Sequence, residues 1–401
     1  MTASRSVRPS ATLAIDERVR RRIAEGARIV HLGFGEAGLP VPGFVREQLA
    51  LGAGANAYGP VAGSAAAREA AAGYHERRGL PTHPDQIVLA PGSKALLFAL
   101  VSALPGDLLL PRPSWVSYAA QAALAGKRVW WAPAPEEAGG VPDPAALERA
   151  VAEARGQGGD PRILVLTLPD NPTGTVAPAQ VVRAVAELAA REGIAIVSDE
   201  IYRDLAYDPG AVTSPAGLLP DHVYVTSGLS KSMALGGYRI GFARFPDTDA
   251  GREVLTAVAG IASEVWSSLA GPMQGVAAYV LAEPPEVVEH VAASRALHRD
   301  ATEAVHACLA GRGVLCRPPG AAFYLYPDFE PFRERLGVDG GAQLAELLLD
   351  RFGIAVLPGE AFGDDPAALR FRLATSLLHG ATGVTVDEAM EALGSAVDAI
   401  S

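Results

Sequence analysis

The chain has 401 residues, of which 49% are hydrophobic, so it exceeds one average domain and can bury a large core. Its 45 acidic and 34 basic residues give a net charge of -11, which argues against nucleic acid or an anionic membrane as the main partner. The two cysteines exclude a disulfide framework and are too few for a structural zinc site, so we expect no metal and a cytoplasmic protein.

The N-terminal segment, residues 1–26, lacks the apolar core of a signal peptide. Its basic run Arg18–Arg22 follows two acidic residues and predicts the solvated side of a helix. No apolar run in the chain reaches the ~18 residues needed to cross a bilayer, so we expect no membrane association.

The next element, RIVHLGFGEAGLP (28–40), has the glycine spacing of a dinucleotide-binding loop at Gly33, Gly35 and Gly38. Such a loop should open a helix directly, but Gly38 is followed by LPVPG, whose two prolines oppose an immediate helix. The acidic residue expected about 20 positions later is also missing. A nicotinamide-dependent dehydrogenase is therefore weakly supported.

The middle of the chain alternates short apolar, β-branched runs with alanine-rich stretches of helical periodicity. This alternation predicts an α/β fold with a mainly parallel sheet covered by helices on both faces. The predicted strands are QIVLA (86–90), DLLLP (107–111), KRVWWA (127–132), RILVLTL (162–168), IAIVSDE (194–200), HVYVTSG (222–228) and YRIGFARF (238–245).

From about residue 290 the pattern changes to a helix followed by short strands around AAFYLYPDF, IAVLPG and LRFRLATS. This pattern predicts a smaller α+β domain, joined by the N-terminal segment. We therefore expect a large domain over 46–290 and a small domain formed by 1–45 and 291–401.

Three polar side chains lie at the ends of three predicted strands: Asn171 follows RILVLTL, Asp199 closes IAIVSD, and Lys231 follows HVYVTSG. Ligands of open parallel sheets gather at the carboxyl ends of the strands, so we expect these side chains to share one site. An amine at a strand end can form a Schiff base if its surroundings favour the neutral form. The other two lysines are Lys94, at a predicted helix start, and Lys127, which we expect to be a solvated charge at a turn.

With these residues in place, the chain resembles the aspartate-aminotransferase superfamily, class I/II, of fold type I pyridoxal 5'-phosphate (PLP) enzymes. The resemblance extends over nearly the whole chain and is specific, because the motifs occur in the order and approximate spacing of that family. They are PSATLAI (9–15), DNPTG (170–174), SDEIY (198–202), SKSMALGGYRIG (230–241), AAFYLYPDF (321–329), VLPGEAFG (356–363) and RFRLATS (370–376).

The resemblance implies a large domain built on a mainly parallel, seven-stranded sheet, and PLP as cofactor. It implies that Lys231 forms the Schiff base with PLP and transfers the proton. It also implies that Asp199 pairs with the pyridine nitrogen of the cofactor. Tyr202 and Asn171 would hydrogen-bond the phenolic oxygen of the ring, and Trp115 would stack on it.

For the cofactor phosphate, APGSKALLFAL supplies a loop entering a helix, where backbone amides and the helix dipole favour an anion. The residues of this cradle are Gly92, Ser93 and Lys94, and the resemblance adds Ser230 and Arg239. Arginine suits phosphate because its planar fork makes two charged hydrogen bonds.

Two further positions, Tyr58 and Ser267, match family residues that reach the phosphate of the neighbouring subunit. The resemblance therefore implies a homodimer with shared active sites, in which Ser267 is the weaker match.

The substrate α-carboxylate needs a cation, and RFRLATS offers Arg370 and Arg372, which strand alternation would point to the same face. Alignment of ATS with the usual family ending assigns Arg370 to the carboxylate, while the role of Arg372 stays open. Gly35 would let the backbone approach the substrate, and Asn171 would contact it.

The function that these residues imply is transfer of an amino group from an L-amino acid to a 2-oxo acid. The alternative keeps the cofactor but ends in β-elimination, oxidation or another carbanion reaction, because the fold alone does not fix the outcome. A PLP-binding regulatory domain would usually carry a DNA-binding module, and none is visible in the sequence. The sequence leaves the amino donor and acceptor open.

Overall fold

The computed structural model of the chain describes residues 10–379 and 383–401, so the predictions that concern residues 1–9 lie outside the described part. Within it, the strands are β1 (Val30–His31), β2 (Ile87–Pro91), β3 (Asp107–Arg112), β4 (Val129–Pro133), β5 (Pro161–Thr167), β6 (Ala195–Asp199), β7 (Val223–Gly228), β8 (Ile240–Arg244), β9 (Tyr324–Leu325), β10 (Ile354–Ala355), β11 (Leu357–Pro358) and β12 (Phe371–Ala374). The helices of the same residues are α1 (Ala11–Ala24), α2 (Gly43–Gly52), α3 (Ala65–Glu76), α4 (Ser93–Ala103), α5 (Val116–Leu124), α6 (Pro144–Gly156), α7 (Ala179–Arg191), α8 (Pro215–Leu218), α9 (Asp249–Val265), α10 (Gly271–Leu281), α11 (Pro285–Ala310), α12 (Arg333–Leu336), α13 (Gly341–Phe352) and α14 (Val386–Ile400).

The central sheet has seven strands in the order β2-β8-β7-β6-β5-β3-β4. Strand β8 runs antiparallel to both of its neighbours, whereas the remaining pairs are parallel. The predicted fold class is confirmed, and the seven runs found in the sequence coincide with these seven strands.

Both faces of the sheet are buried, because its strands are apolar on both sides. In β5, Leu164 and Leu166 pack into a cluster with helices α6 and α7. Their neighbours Ile163 and Val165 pack into a second cluster with α4 and α5 on the opposite face. This alternation fixes the sheet between two helical layers and directs its polar residues to the strand ends.

The smaller part of the molecule has its own core, which joins the segment after β1 to the C-terminal third of the chain. Here β1 pairs with β10, and β12 lies between β11 and β9 in a three-stranded antiparallel sheet. Helix α11 is continuous and contributes to both cores. Val287, near its start, belongs to a core cluster of the larger part, and Val305, near its end, belongs to the smaller core. The predicted boundary at residue 290 therefore falls inside a helix, and the division into domains stays a prediction.

The N-terminal basic run lies on helix α1, as predicted, but part of it is not simply solvated. Arg22 forms an ion pair with Asp350 at 2.7 Å, and Arg18 lies 3.5 Å from Glu346, so α1 is held against α13. Within the described residues, no helix is long and apolar enough to cross a membrane.

The glycines that resemble a dinucleotide loop follow strand β1 but do not open a helix. No helix or strand forms between Leu32 and Pro42, and α2 begins only at Gly43. Gly35 lies against the Tyr324 hydroxyl, which a Cβ at this position would overlap. The segment therefore needs glycine for close packing over the site described next.

Candidate active site

The carboxyl ends of the central strands open into a cavity of about 440 Å³. Polar groups from different parts of the sequence meet there, as expected for an open α/β sheet. Ten of the residues selected from the sequence line it: Gly35, Ser93, Lys94, Trp115, Asn171, Asp199, Tyr202, Ser230, Lys231 and Arg239.

Lys231 lies just after strand β7, where the chain leaves the buried sheet. Its Nζ donates to the Gly35 carbonyl at 2.5 Å, so the amine is held against the segment that follows β1. Burial lowers the pKa of Lys231 to about 8, and the positive charge of Arg372 acts in the same direction. An amine with this pKa exchanges its proton close to neutral pH, which suits it to nucleophilic and proton-transfer chemistry.

Asp199 is the last residue of β6, and its carboxylate lies at the inner wall of the cavity. Burial raises the pKa of Asp199 to about 6, against the opposing effect of the hydroxyl that Tyr118 donates at 2.9 Å. A buried carboxylate of this kind gains most from a cationic partner.

A short hydrogen-bonded chain crosses the cavity beside Asp199. Asn171 donates from Nδ2 to the Tyr202 hydroxyl at 3.2 Å, and this hydroxyl lies 2.8 Å from that of Tyr324. Asn171 is held by the turn of DNPTG, in which the Asp170 carboxylate accepts from the Thr173 amide at 3.0 Å.

One end of the cavity is suited to an anion. Gly92 precedes helix α4 with a φ of 88°, and a Cβ there would overlap the Arg239 guanidinium. Ser93 and Lys94 form the first turn of the helix, so their positions combine amide donors, the helix dipole and two cations. Burial and the neighbouring Arg239 lower the pKa of Lys94, whose Nζ lies 5.0 Å from the centre of the Trp115 ring.

The opposite end holds Arg372, whose side chain is buried with 1% exposure. Its guanidinium donates to Asn171 Oδ1 at 3.2 Å and to the Gly33 carbonyl at 2.9 Å. Among the described residues, no carboxylate forms an ion pair with Arg372, and its Nε has no hydrogen-bond partner. A buried guanidinium without a counter-ion beside a cavity is suited to a carboxylate ligand.

These groups agree with the comparison to known proteins. Residues 29–393 match the family model described as aminotransferase class I and II. The chain belongs to this family. It is similar to a probable aspartate/prephenate aminotransferase of Thermus aquaticus, with 34% identity over 89% of this chain and 90% of that protein.

Two further relatives extend the likeness. The aspartate aminotransferase of Geobacillus stearothermophilus is 30% identical over 93% of each chain. The solved structure of aspartate aminotransferase from Thermus thermophilus with maleate superposes with a TM-score of 0.86, at 31% identity and 97% coverage of both chains. The chain is therefore a PLP-dependent aminotransferase, and its substrates are an amino acid and a 2-oxo acid.

The residues of this aminotransferase fit the cofactor at each point where PLP carries a charge. The anion-binding end at helix α4 suits its phosphate, and the buried Asp199 carboxylate suits a protonated ring nitrogen. Lys231 lines the same cavity and would supply the amine that PLP requires, and Arg372 would remain available for a substrate carboxylate. The fit rests on charge complementarity at both ends of one cavity.

The structure does not support Arg370 as the substrate-binding arginine. Arg370 lies just before β12 and does not line the cavity, because its guanidinium pairs with Asp364 at 3.0 Å and Asp328 at 3.2 Å. Arg372, two residues further along, is the one that reaches the cavity. The substrate role that the family alignment gives Arg370 therefore stays a prediction, and the geometry favours Arg372 instead.

Three other predicted residues lie outside the cavity. Gly92 contacts the guanidinium of Arg239, which itself lines the cavity. Tyr58 is 92% exposed and Ser267 is exposed as well, so neither contacts the cavity of its own chain. Lys127 is not a solvated charge as predicted, because its Nζ donates to the carbonyls of Leu104 and Gly106 at 2.6 and 2.8 Å.

Two tyrosines of the site were not singled out from the sequence. Tyr118 lies one helical turn after Trp115, and this spacing places both on the same side of α5. Tyr324 lies inside the motif AAFYLYPDF, where its apolar neighbours mark a buried strand and hide the role of its hydroxyl. Only the partners of these hydroxyls distinguish them from ordinary core tyrosines.

Proposed function

We propose that this aminotransferase transfers amino groups between acidic amino acids and 2-oxo acids at the cavity around Lys231. The observation that carries the proposal is the convergence of Lys231, Asp199 and Arg372 on one cavity. When bound, PLP supplies an aldehyde that captures an amine and a conjugated ring that accepts the electrons of the substrate Cα–H bond.

Lys231 is the residue that we assign to covalent attachment of the cofactor and to the proton at the substrate Cα. Support comes from its lowered pKa of about 8, which makes the neutral amine accessible near physiological pH. The hydrogen bond to the Gly35 carbonyl keeps Nζ inside the cavity rather than in solvent.

Asp199 is assigned to the ring nitrogen, and Tyr202 with Asn171 to the phenolic oxygen. The Tyr118 hydroxyl orients the Asp199 carboxylate through its 2.9 Å hydrogen bond. Asn171 Nδ2 orients the Tyr202 hydroxyl, while Asn171 Oδ1 holds Arg372. Asn171 therefore links the cofactor end of the site to the carboxylate end.

The phosphate is assigned to the cradle formed by Ser93, Lys94, Ser230 and Arg239, with Trp115 as the stacking ring. The α-carboxylate of the substrate is assigned to Arg372. The preference for acidic substrates is supported by the relatives named aspartate/prephenate and aspartate aminotransferases.

Half-reactions test this proposal. The holoenzyme is mixed with aspartate or glutamate, and with alanine or phenylalanine as comparison donors, in the absence of an acceptor. We expect one equivalent of 2-oxo acid per site, the amino form of the cofactor and no free ammonia, with the acidic donors reacting fastest. Ammonia release without the amino form would contradict transamination, and faster reaction of phenylalanine or alanine would contradict the substrate class.

We further propose a homodimer in which Tyr58 and Ser267 complete the phosphate site of the partner subunit. The two residues lie on neighbouring segments, because Gly271 packs against Ala55 and Gly59 packs against Gln274. Both are exposed in the single chain, which leaves them available to a second copy.

Hybrid dimers test the shared site. A Lys231→Ala chain and a Tyr58→Ala chain each form impaired homodimers, but refolded together they produce hybrids with one complete site. We expect the mixture to regain PLP binding and activity. If it does no better than the two homodimers measured separately, the shared site is ruled out.

A cytoplasmic location is proposed as well, supported by Cys308 and Cys316, which are both free thiols in the structure. Fractionation of the producing cell, with the enzyme followed by antibody, would check it.

A further inference from the structure

Tyr324 occupies a position between three functional parts of the site. Its side chain is buried, and its hydroxyl lies 2.8 Å from that of Tyr202 and 3.4 Å from the Gly35 carbonyl. Its ring lies under the Arg372 guanidinium, 4.8 Å from ring centre to Cζ. None of the roles assigned above uses this hydroxyl.

The donors and acceptors around the Tyr202 hydroxyl determine which hydrogen bonds the Tyr324 hydroxyl can form. Burial raises the pKa of both phenols, so each keeps its single proton. Asn171 Nδ2 already donates to the Tyr202 oxygen. Tyr202 can therefore give its proton either to Tyr324 or to a group in the cavity, but not to both.

The geometry around Gly35 favours one of these two arrangements. The Tyr324 hydroxyl reaches the Gly35 carbonyl only at 3.4 Å. A contact of 3.4 Å is at the weak end for an O–H donor, and the 2.8 Å contact with Tyr202 has the usual length. The Tyr324 proton is therefore directed towards Tyr202.

We propose that Tyr324 is a positioning residue that donates to Tyr202 and so leaves the Tyr202 proton for the phenolic oxygen of PLP. The proposal rests on the role assigned to Tyr202 in the proposed function. Two donors to the Tyr202 oxygen, Asn171 and Tyr324, polarise its O–H bond and strengthen its own donation.

A purely structural role is the competing explanation, because the Tyr324 ring packs with Phe323 and Tyr202 in a buried cluster. Replacement by phenylalanine keeps this ring and removes only the hydroxyl. Tyr326 offers a matched control on the same segment. It is also buried, but its hydroxyl donates to Asp364 at 2.9 Å and does not line the cavity.

The test is the pH titration of the long-wavelength absorption band of the holoenzyme, in which Lys231 and the phenolic oxygen of the cofactor share a proton. A hydrogen bond from Tyr202 withdraws electron density from this oxygen. When that hydrogen bond weakens, the shared proton is held more firmly and the pH midpoint of the titration rises. Since one neutral hydrogen bond is affected, we expect Y324F to raise the midpoint by about half to one unit. Y326F should leave it unchanged.

A double variant separates action through Tyr202 from an independent effect. We expect Y202F to shift the midpoint further than Y324F, and Y202F/Y324F to add nothing to Y202F alone. An unchanged midpoint in Y324F, an equal shift in Y326F, or full additivity in the double variant would each overturn the inference. If the wild-type protein acquires no long-wavelength band with PLP, it is the proposed function that fails.

Discussion

At the scale of single residues, the two arginines of RFRLATS differ in what surrounds their guanidinium groups. Arg370 has two carboxylate partners and a side-chain exposure of 34%, whereas Arg372 is buried and has no acidic partner in the described part of the chain. A charge buried in this way is costly unless a ligand pairs with it. The surroundings of Arg372 therefore support the proposal that it pairs with the substrate carboxylate.

Substitution of each arginine in turn tests this difference. Arg372→Met keeps the length of the side chain and removes the charge that the substrate carboxylate would use. A lost buried charge pair costs about 2–4 kcal/mol, so we expect KM for the amino donor to rise roughly 30- to 1000-fold. Steady-state kinetics give KM for both variants. In the control variant, Arg370→Gln, we expect KM for the amino donor to change only a few-fold. A larger effect in Arg370→Gln than in Arg372→Met would return the role to Arg370.

Lys231 is also expected to affect stability in a pH-dependent way. Its pKa is about 8 in the folded chain against 10.5 for a free side chain, so the unfolded chain binds more protons between these values. The contribution of Lys231 to stability therefore rises with pH through this window and is least favourable below pH 8.

The Lys231→Met variant measures that contribution, with the cofactor removed from both proteins. We expect the variant to be more stable than the wild type at pH 7, by up to about 3 kcal/mol, and this advantage to shrink towards pH 10. Urea unfolding at several pH values gives the difference. A difference that stays constant with pH would contradict the assignment of the shift to Lys231.

At the scale of elements, the start of helix α4 combines a backbone requirement with a charge requirement. Gly92 adopts a φ of 88°, which favours glycine, and it also lies against the Arg239 guanidinium. Gly79 has a similar φ of 74°, but no atom lies within 4 Å of the position of a Cβ. Substitutions at Gly92 and at Gly79 can therefore be compared to separate the effect of backbone strain from the effect of displacing Arg239.

We expect Gly92→Ala and Gly79→Ala each to lose about 1–2 kcal/mol of folding free energy from the unfavourable φ. Only Gly92→Ala should weaken PLP binding, because its new methyl group displaces Arg239 from the phosphate cradle. Equilibrium dialysis of PLP against both variants checks this. Equal PLP affinity in the two variants would argue against Arg239 as a phosphate ligand.

The elements also mark the limit of what the sequence predicts. The seven central strands could be located because they are apolar on both faces. Asp199 ends one of them, and Asn171 and Lys231 follow two others within four residues. The choice between Arg370 and Arg372 could not be made, because it depends on Asp328 and Asp364, which lie elsewhere in the sequence. Likewise, the hydroxyl of Tyr324 acquires its partners only when β9 is brought against Tyr202.

At the scale of the whole molecule, two cores are joined by one continuous helix. Helix α11 contributes to the core of the larger part near its start and to the smaller core near its end. The sequence predicts a boundary close to residue 290 because the pattern changes there to a helix followed by short strands, but that helix already begins at Pro285. The cavity is lined both by Lys231 and Asp199, which follow or end strands of the central sheet, and by Gly35 and Arg372 from the two ends of the chain.

The central claim is that Lys231 carries the cofactor in this aminotransferase. Because the chain has only three lysines, Lys94, Lys127 and Lys231, chemical trapping gives an unambiguous answer. The holoenzyme is reduced with borohydride, digested, and the peptide that carries the reduced cofactor is identified by mass spectrometry. We predict a single modified site at Lys231, absent from the Lys231→Ala protein. Modification at Lys94 or Lys127 of the wild-type enzyme, or no modification, would contradict the assignment.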